Sequence, residues 1–158
     1  FVFLFAPAMH SAFQVMPCAR QAMFFKKSML DRENYFDERF KLLADFDLII
    51  RIIMKGYTPA YFDTTYVTYK LGEKVAQNED RAEKEIKAIY NKNYRTLYPL
   101  NETVLDRMTK FSEFPKELLD RLAKYFPEDD RELFYERCEQ MHQIRVNAHN
   151  NAKQQNKE

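Results

Sequence analysis

Between Phe46 and Met54 only Asp47 and Arg51 interrupt a run of Phe, Leu, Ile and Met. A helix that is apolar on nearly every side is stable only where a domain closes around it. The rest of the chain must therefore wrap this segment and bring its polar end to the surface at a defined place. That end carries Asp45 and Asp47. Residues two apart on a helix point to nearly opposite sides, so both carboxylates cannot serve one ligand. At the other end Lys55-Gly56 makes a stop. A cation there meets the negative pole of the helix, and glycine accepts the left-handed turn that follows.

Residue types alone leave Asp45 with two roles. As an N-cap, its carboxylate accepts from the unpaired N–H groups of the first turn. As a general base at the mouth of a cleft, it needs partial burial to bring its pKa into the working range. Asp47 favours the positive end of the helix dipole and reaches Arg51 four residues on.

Short apolar runs flank this helix, and three of them predict strands: Phe1–Phe5, Gln21–Phe25 and Ala60–Lys70, the last with Pro59 at its start. Lys26-Lys27 closes the second run, either as a solvated strand end or as an attraction for a diphosphate. Ser28 is placed to cap a short helix over Met29–Asn34. The expected fold class is α/β or α+β, a small mixed sheet with the buried central helix packed on it.

From Asn78 onward the pattern turns helical. Ala82, Ile86, Ile89, Tyr90 and Leu97 form a stripe that Pro99 ends. Asn101 caps a short helix, and Pro115 starts another with Leu118, Leu119 and Leu122 inward. An acidic turn, Glu128-Asp129-Asp130, opens a last helix with Leu133, Phe134, Cys138, Met141 and Ile144 on one face. Residues 147–158 lack an apolar stripe and are expected to be a disordered tail. The implied organisation is 1–75, 76–146 as a helical extension, and the tail.

Composition excludes several classes. A net charge of +1 gives no electrostatic footprint for nucleic acid. Two glycines leave no Gly-rich phosphate loop. Cys18 and Cys138 have neither metal-type nor CxxC spacing and suit a reducing compartment, which points to the cytoplasm. His10 has no second ligand residue at metal spacing. The apolar start, Phe1–Ala8, is too short to span a bilayer, so no transmembrane segment is expected.

Read together, Arg20-Gln21-Ala22, Lys26-Lys27, Phe36-Asp37-Glu38-Arg39-Phe40, Ala44-Asp45-Phe46-Asp47, Arg51 and Lys55-Gly56 follow an ordered pattern. Over roughly Met16 to Gly72 this pattern resembles the acceptor-side half of a family 2 glycosyltransferase with the GT-A fold. Two positions depart from that family: Arg20 stands where a His is usual, and Gly72-Glu73 where Gly-Gly is common. The resemblance implies transfer of a sugar from a nucleotide-sugar donor to a hydroxyl of a glycan or lipid-linked acceptor, in surface polysaccharide synthesis. It implies Asp45 as the catalytic base and Arg20, Gln21, Asp47 and Arg51 as substrate-binding residues, with Asp47 and Arg51 also holding the helix start. It further implies a divalent cation, Mg or Mn. The nucleotide-binding half and its Asp-x-Asp metal site have no counterpart in this sequence, which begins at Phe1 without Met. A fragment, or a second chain supplying that half, is the expectation, with a place in the cytoplasm or peripherally at the inner membrane. The other expectation is a non-catalytic interaction module derived from such a domain.

Overall fold

The computed structural model describes residues 9–17, 22–57 and 78–155, and every regular element among them is a helix. The α-helices are α1 (Lys27–Arg32), α2 (Ala44–Met54), α3 (Glu79–Tyr94), α4 (Glu102–Phe111), α5 (Lys116–Leu122) and α6 (Arg131–Gln155). Short 3-10 turns stand at Met9–Ser11, Ala123–Tyr125 and Glu128–Asp130.

The mixed sheet is therefore corrected: the described residues form an all-helical fold with no strand among them. Residues 23–26 are described and take no regular structure, and Phe24 is three-quarters exposed. An isolated apolar run becomes a strand only where a neighbouring strand receives its N–H and C=O groups. The other two strands, Phe1–Phe5 and Ala60–Lys70, lie outside the described residues. Where the sequence predicts a disordered tail, α6 continues through the polar segment to Gln155. Its last turns start from a helix already nucleated on the core, and Ala, Lys and Gln propagate it at little cost. His149 adds an edge-to-face contact with Phe111 at 5.1 Å.

The central helix forms where its composition places it. Phe46, Leu48, Ile49, Ile50 and Ile53 are all buried. Its C-terminal stop is a Schellman arrangement, with Gly56 N–H on Ile53 C=O at 2.9 Å and Tyr57 N–H on Ile52 C=O at 3.1 Å. Gly56 stands at φ +78°, where a side chain is strained. At α4 the Asn101 side chain accepts from Val104 N–H at 2.9 Å, so the cap is as expected. At α1 it is not: Lys26 occupies the N-cap position, with no side-chain cap bond.

One continuous core joins α2 to the C-terminal helices across the expected 75/76 boundary. Its centre is aromatic. The Phe13 ring meets Tyr94 at 6.2 Å, Tyr125 at 6.0 Å, Phe126 at 5.7 Å and Phe134 at 6.3 Å, all edge-on. Such geometry sets the positive ring edge against the negative face. The backbone around Phe13 is irregular, yet its buried carbonyls are satisfied. Tyr94 Oη donates to Phe13 C=O and Tyr90 Oη to Gln14 C=O, each at 2.8 Å. Gln14 Nε2 donates to Ser112 C=O at 2.9 Å, tying the same segment to the end of α4. Burial pushes both tyrosine hydroxyls above their ordinary pKa, so they stay donors at any physiological pH. The Cys138 thiol, buried beside them, is pushed up to about 12 by desolvation and is unreactive as a thiolate. Of the expected α6 stripe, Phe134 and Cys138 reach the core, while Ile144 is 56% exposed.

Candidate active site

The N-terminal end of α2 places its two carboxylates in different surroundings. Asp47 is completely buried. One of its oxygens accepts from Arg51 Nε at 2.9 Å, Lys92 Nζ reaches both at 2.8 Å, and Asn93 Nδ2 donates at 2.9 Å. A buried carboxylate with four donor contacts has no capacity left for a ligand. Arg51 is used in the same way. Beyond Asp47, it donates to the carbonyls of Glu33 and Tyr35, each at 2.7 Å. Those carbonyls bracket a turn in which Asn34 and Tyr35 both take left-handed φ, 55° and 56°. A left-handed pair of non-glycine residues persists only when its surroundings hold it. Asp47 and Arg51 thus perform the second of their two expected tasks, holding α2 and the turn before it.

Lys92 extends the network from α3. It donates to Asp37 Oδ2 at 2.9 Å and lies 5.4 Å from the centre of the Phe40 ring. Asp37 also receives a two-pronged contact from the Arg39 guanidinium, at 2.9 Å from Nε and 2.7 Å from Nη2. Arg39 first and Lys92 second hold the Asp37 carboxyl far below the usual carboxylate range. Arg39, Phe40, Arg81, Lys84, Glu85 and Lys92 line a shallow hollow of about 420 Å³. Its positive charge is largely committed, since Arg39, Arg81 and Lys92 each contact a carboxylate of the fold.

Asp45 lies elsewhere. Helix α2 begins at Ala44 with Leu43 as its N-cap residue, so Asp45 sits inside the first turn and is not the cap. Its Oδ1 accepts from Phe46 N–H at 3.0 Å. Although 92% of its surface is covered, Asp45 lines an open pocket of about 370 Å³ with Met23, Phe25, Phe36, Lys41, Leu42 and Ala44. Phe25 and Phe36 meet edge-to-face at 6.3 Å and give the pocket an aromatic wall. Asp45 is the one carboxylate among these lining residues, with the cationic Lys41 as the other charge.

No side chain caps α2, but a residue of α3 holds the segment that leads into it. The carboxylate of Glu85 accepts from Lys41 N–H at 3.0 Å, Leu42 N–H at 2.9 Å and Leu43 N–H at 3.1 Å. Arg81 Nε adds a fourth donor at 3.1 Å. Burial raises the Glu85 pKa, but the three backbone donors and Arg81 outweigh it and leave the group lowered. With Asp37 and Glu85 both lowered, their stabilisation is present above the ordinary carboxylate pKa and is lost as pH falls below it.

No family model, no curated protein and no solved structure matches the chain.

Of the expected site residues, Arg20 and Gln21 lie outside the described residues. Asp45 reaches the pocket; Asp47 and Arg51 lie in the buried network and do not line it. Glu85, Lys92 and Asn93 were not anticipated as part of this region. A signal for Glu85 does exist in the sequence: it falls between Ala82 and Ile89 on the apolar stripe of α3. A carboxylate at such a position is buried and must find donors. Among the described residues no helix is long and apolar enough to cross a membrane.

Proposed function

We propose that this chain is the acceptor-side part of a glycosyltransferase, moving a sugar from a nucleotide-sugar donor to a hydroxyl of a glycan or lipid-linked acceptor in surface polysaccharide synthesis. The observation that carries the proposal is Asp45: a largely buried carboxylate at an open, aromatic-walled pocket, with its neighbour Asp47 fully engaged elsewhere. The sequence pattern that resembles family 2 glycosyltransferases supports the same assignment.

The pocket suits a sugar because its two sides match the two kinds of surface that a pyranose offers. The Phe25 and Phe36 rings provide an apolar wall for C–H groups, while the Asp45 carboxylate accepts from a hydroxyl. As the hydroxyl oxygen forms its bond to the anomeric carbon, its proton passes to Asp45 and the bond to the nucleoside diphosphate breaks. A carboxylate serves as the base because the hydroxyl becomes strongly acidic only as that bond forms. Inversion is the stereochemistry that the resemblance implies. The pocket does not fit a divalent cation, since Asp45 is its single lining carboxylate and Lys41 is itself cationic. The Mg or Mn ion and the donor-binding half are accordingly assigned outside this pocket, to further residues of the protein or to a second chain, in the cytoplasm or peripherally at the inner membrane, and no step here runs through them.

A second proposal is a non-catalytic docking role for the same surface. The exposure of Phe24, Tyr35 and Phe36, at 75%, 45% and 42%, favours it. A two-dimensional NMR titration with methyl glycosides separates the two. Acceptor binding perturbs Met23, Phe25, Phe36 and Ala44 and weakens about tenfold in Asp45→Asn, the value of one hydrogen bond to a charged group. Absence of any perturbation by the glycosides would sink the transferase assignment and leave docking.

A further inference from the structure

Glu85 belongs to α3, outside the Met16–Gly72 region that carries the resemblance, yet its carboxylate touches the pocket's backbone. Lys41, Leu42, Ala44 and Asp45 line the pocket, and the N–H groups that Glu85 holds are those of Lys41, Leu42 and Leu43. We infer that Glu85 is the positioning residue of this site: by gathering three successive N–H groups it fixes the approach to α2 and so aims Asp45 and Lys41 into the pocket. The inference rests on the acceptor-site reading only for what the pocket receives, and not for the positioning itself.

The geometry favours this over a simple helix cap. An ordinary cap is local, with its oxygen supplied by the residue just before the helix. Here the acceptor comes from a helix some forty residues away and holds N–H groups that precede α2, so its removal releases the pocket backbone from α3. Glu85 is 8% exposed, so water does not simply replace it. Its carboxylate accepts from all three of these successive N–H groups at once. Loss of this anchor removes the hold of α3 on segment 41–43 while Asp47, Lys92 and Asn93 still hold the body of α2.

The test compares Glu85→Gln, Glu85→Ala and a control, Glu83→Gln, in the full chain. Glu83 lies on the same helix and pairs with Lys87 and Lys110, at 3.5 and 3.8 Å. Amide exchange at Lys41, Leu42 and Leu43 should accelerate about tenfold or more in Glu85→Ala, less in Glu85→Gln, which keeps one acceptor oxygen, and not in Glu83→Gln. The decisive readout is the NMR signal of the Met23 methyl and the Phe36 ring, which line the pocket from other segments of the chain. Both should move in the Glu85 variants at temperatures where the fold is intact, and binding of methyl β-D-glucopyranoside should weaken about tenfold. Faster exchange with unmoved Met23 and Phe36 signals overturns the inference and reduces Glu85 to a cap. Moved pocket signals in the Glu85 variants, with no glycoside bound by the parent chain, overturn the acceptor reading and leave the positioning role standing. If Glu85→Ala fails to fold, Glu85→Gln carries the comparison alone.

Discussion

Asp47→Ala is expected to lower the stability of the fold by about 3 kcal/mol, the lower end of what removing one member of a buried ion pair costs. The carboxylate has no exposed surface, and its loss leaves Arg51 and Lys92 facing each other without a shared anion. Lys92 retains Asp37 and is 28% exposed, and Arg51 retains two carbonyls, which keeps the cost from rising further. The strained turn at Asn34 and Tyr35 loses its support at the same time, because the Arg51 guanidinium is no longer oriented by Asp47. Urea unfolding at neutral pH measures the effect through a lower midpoint with an unchanged slope. A loss below about 1 kcal/mol would mean that Asp47 is held no more tightly than a surface ion pair.

The second large effect is expected at Phe13. Phe13→Ala should cost about 4 kcal/mol, within the usual range for emptying a buried aromatic site. Its ring is fully buried and is the common neighbour of Tyr94, Tyr125, Phe126 and Phe134. Those four side chains come from α3, the turn after α5, and α6. They cannot all move inward, so most of the cavity remains. Ile144→Ala, at a half-exposed position of α6, is the comparison and should change stability by less than about 0.5 kcal/mol. Thermal unfolding followed by circular dichroism distinguishes them, and equal midpoints for the two variants would contradict an aromatic core centred on residue 13.

Features encoded locally were legible in the sequence. The apolar run 46–54 led to a buried helix, Lys55-Gly56 to its Schellman stop, and Asn101 to the cap of α4. Each depends on residues within a few positions of one another. Features that depend on distant partners were not. Gln-Ala-Met-Phe-Phe has the apolar composition of a strand, but that composition is equally compatible with an irregular segment if no neighbouring strand is supplied. The division of labour between Asp45 and Asp47 likewise required Lys92 and Asn93, more than forty residues downstream, to be placed beside Asp47. The hold of Glu85 on residues 41–43 was hidden for the same reason, since it too joins residues some forty positions apart. Polar composition after residue 147 suggested disorder because no stripe marks a buried face, yet a helix anchored upstream needs none to continue.

The central claim is that Asp45 serves a ligand while Asp47 serves the fold. The most direct measurement of it is the rise in unfolding midpoint produced by saturating methyl glycoside, recorded for the parent chain, Asp45→Asn and Asp47→Asn. A ligand that binds only the folded state raises the midpoint in proportion to its affinity. The expected result is a starting midpoint close to that of the parent in Asp45→Asn with the glycoside-induced rise reduced as a tenfold weaker affinity requires, and a lowered starting midpoint in Asp47→Asn with the rise retained in full. The opposite pattern, with Asp45→Asn destabilised and its rise undiminished, would contradict the assignment.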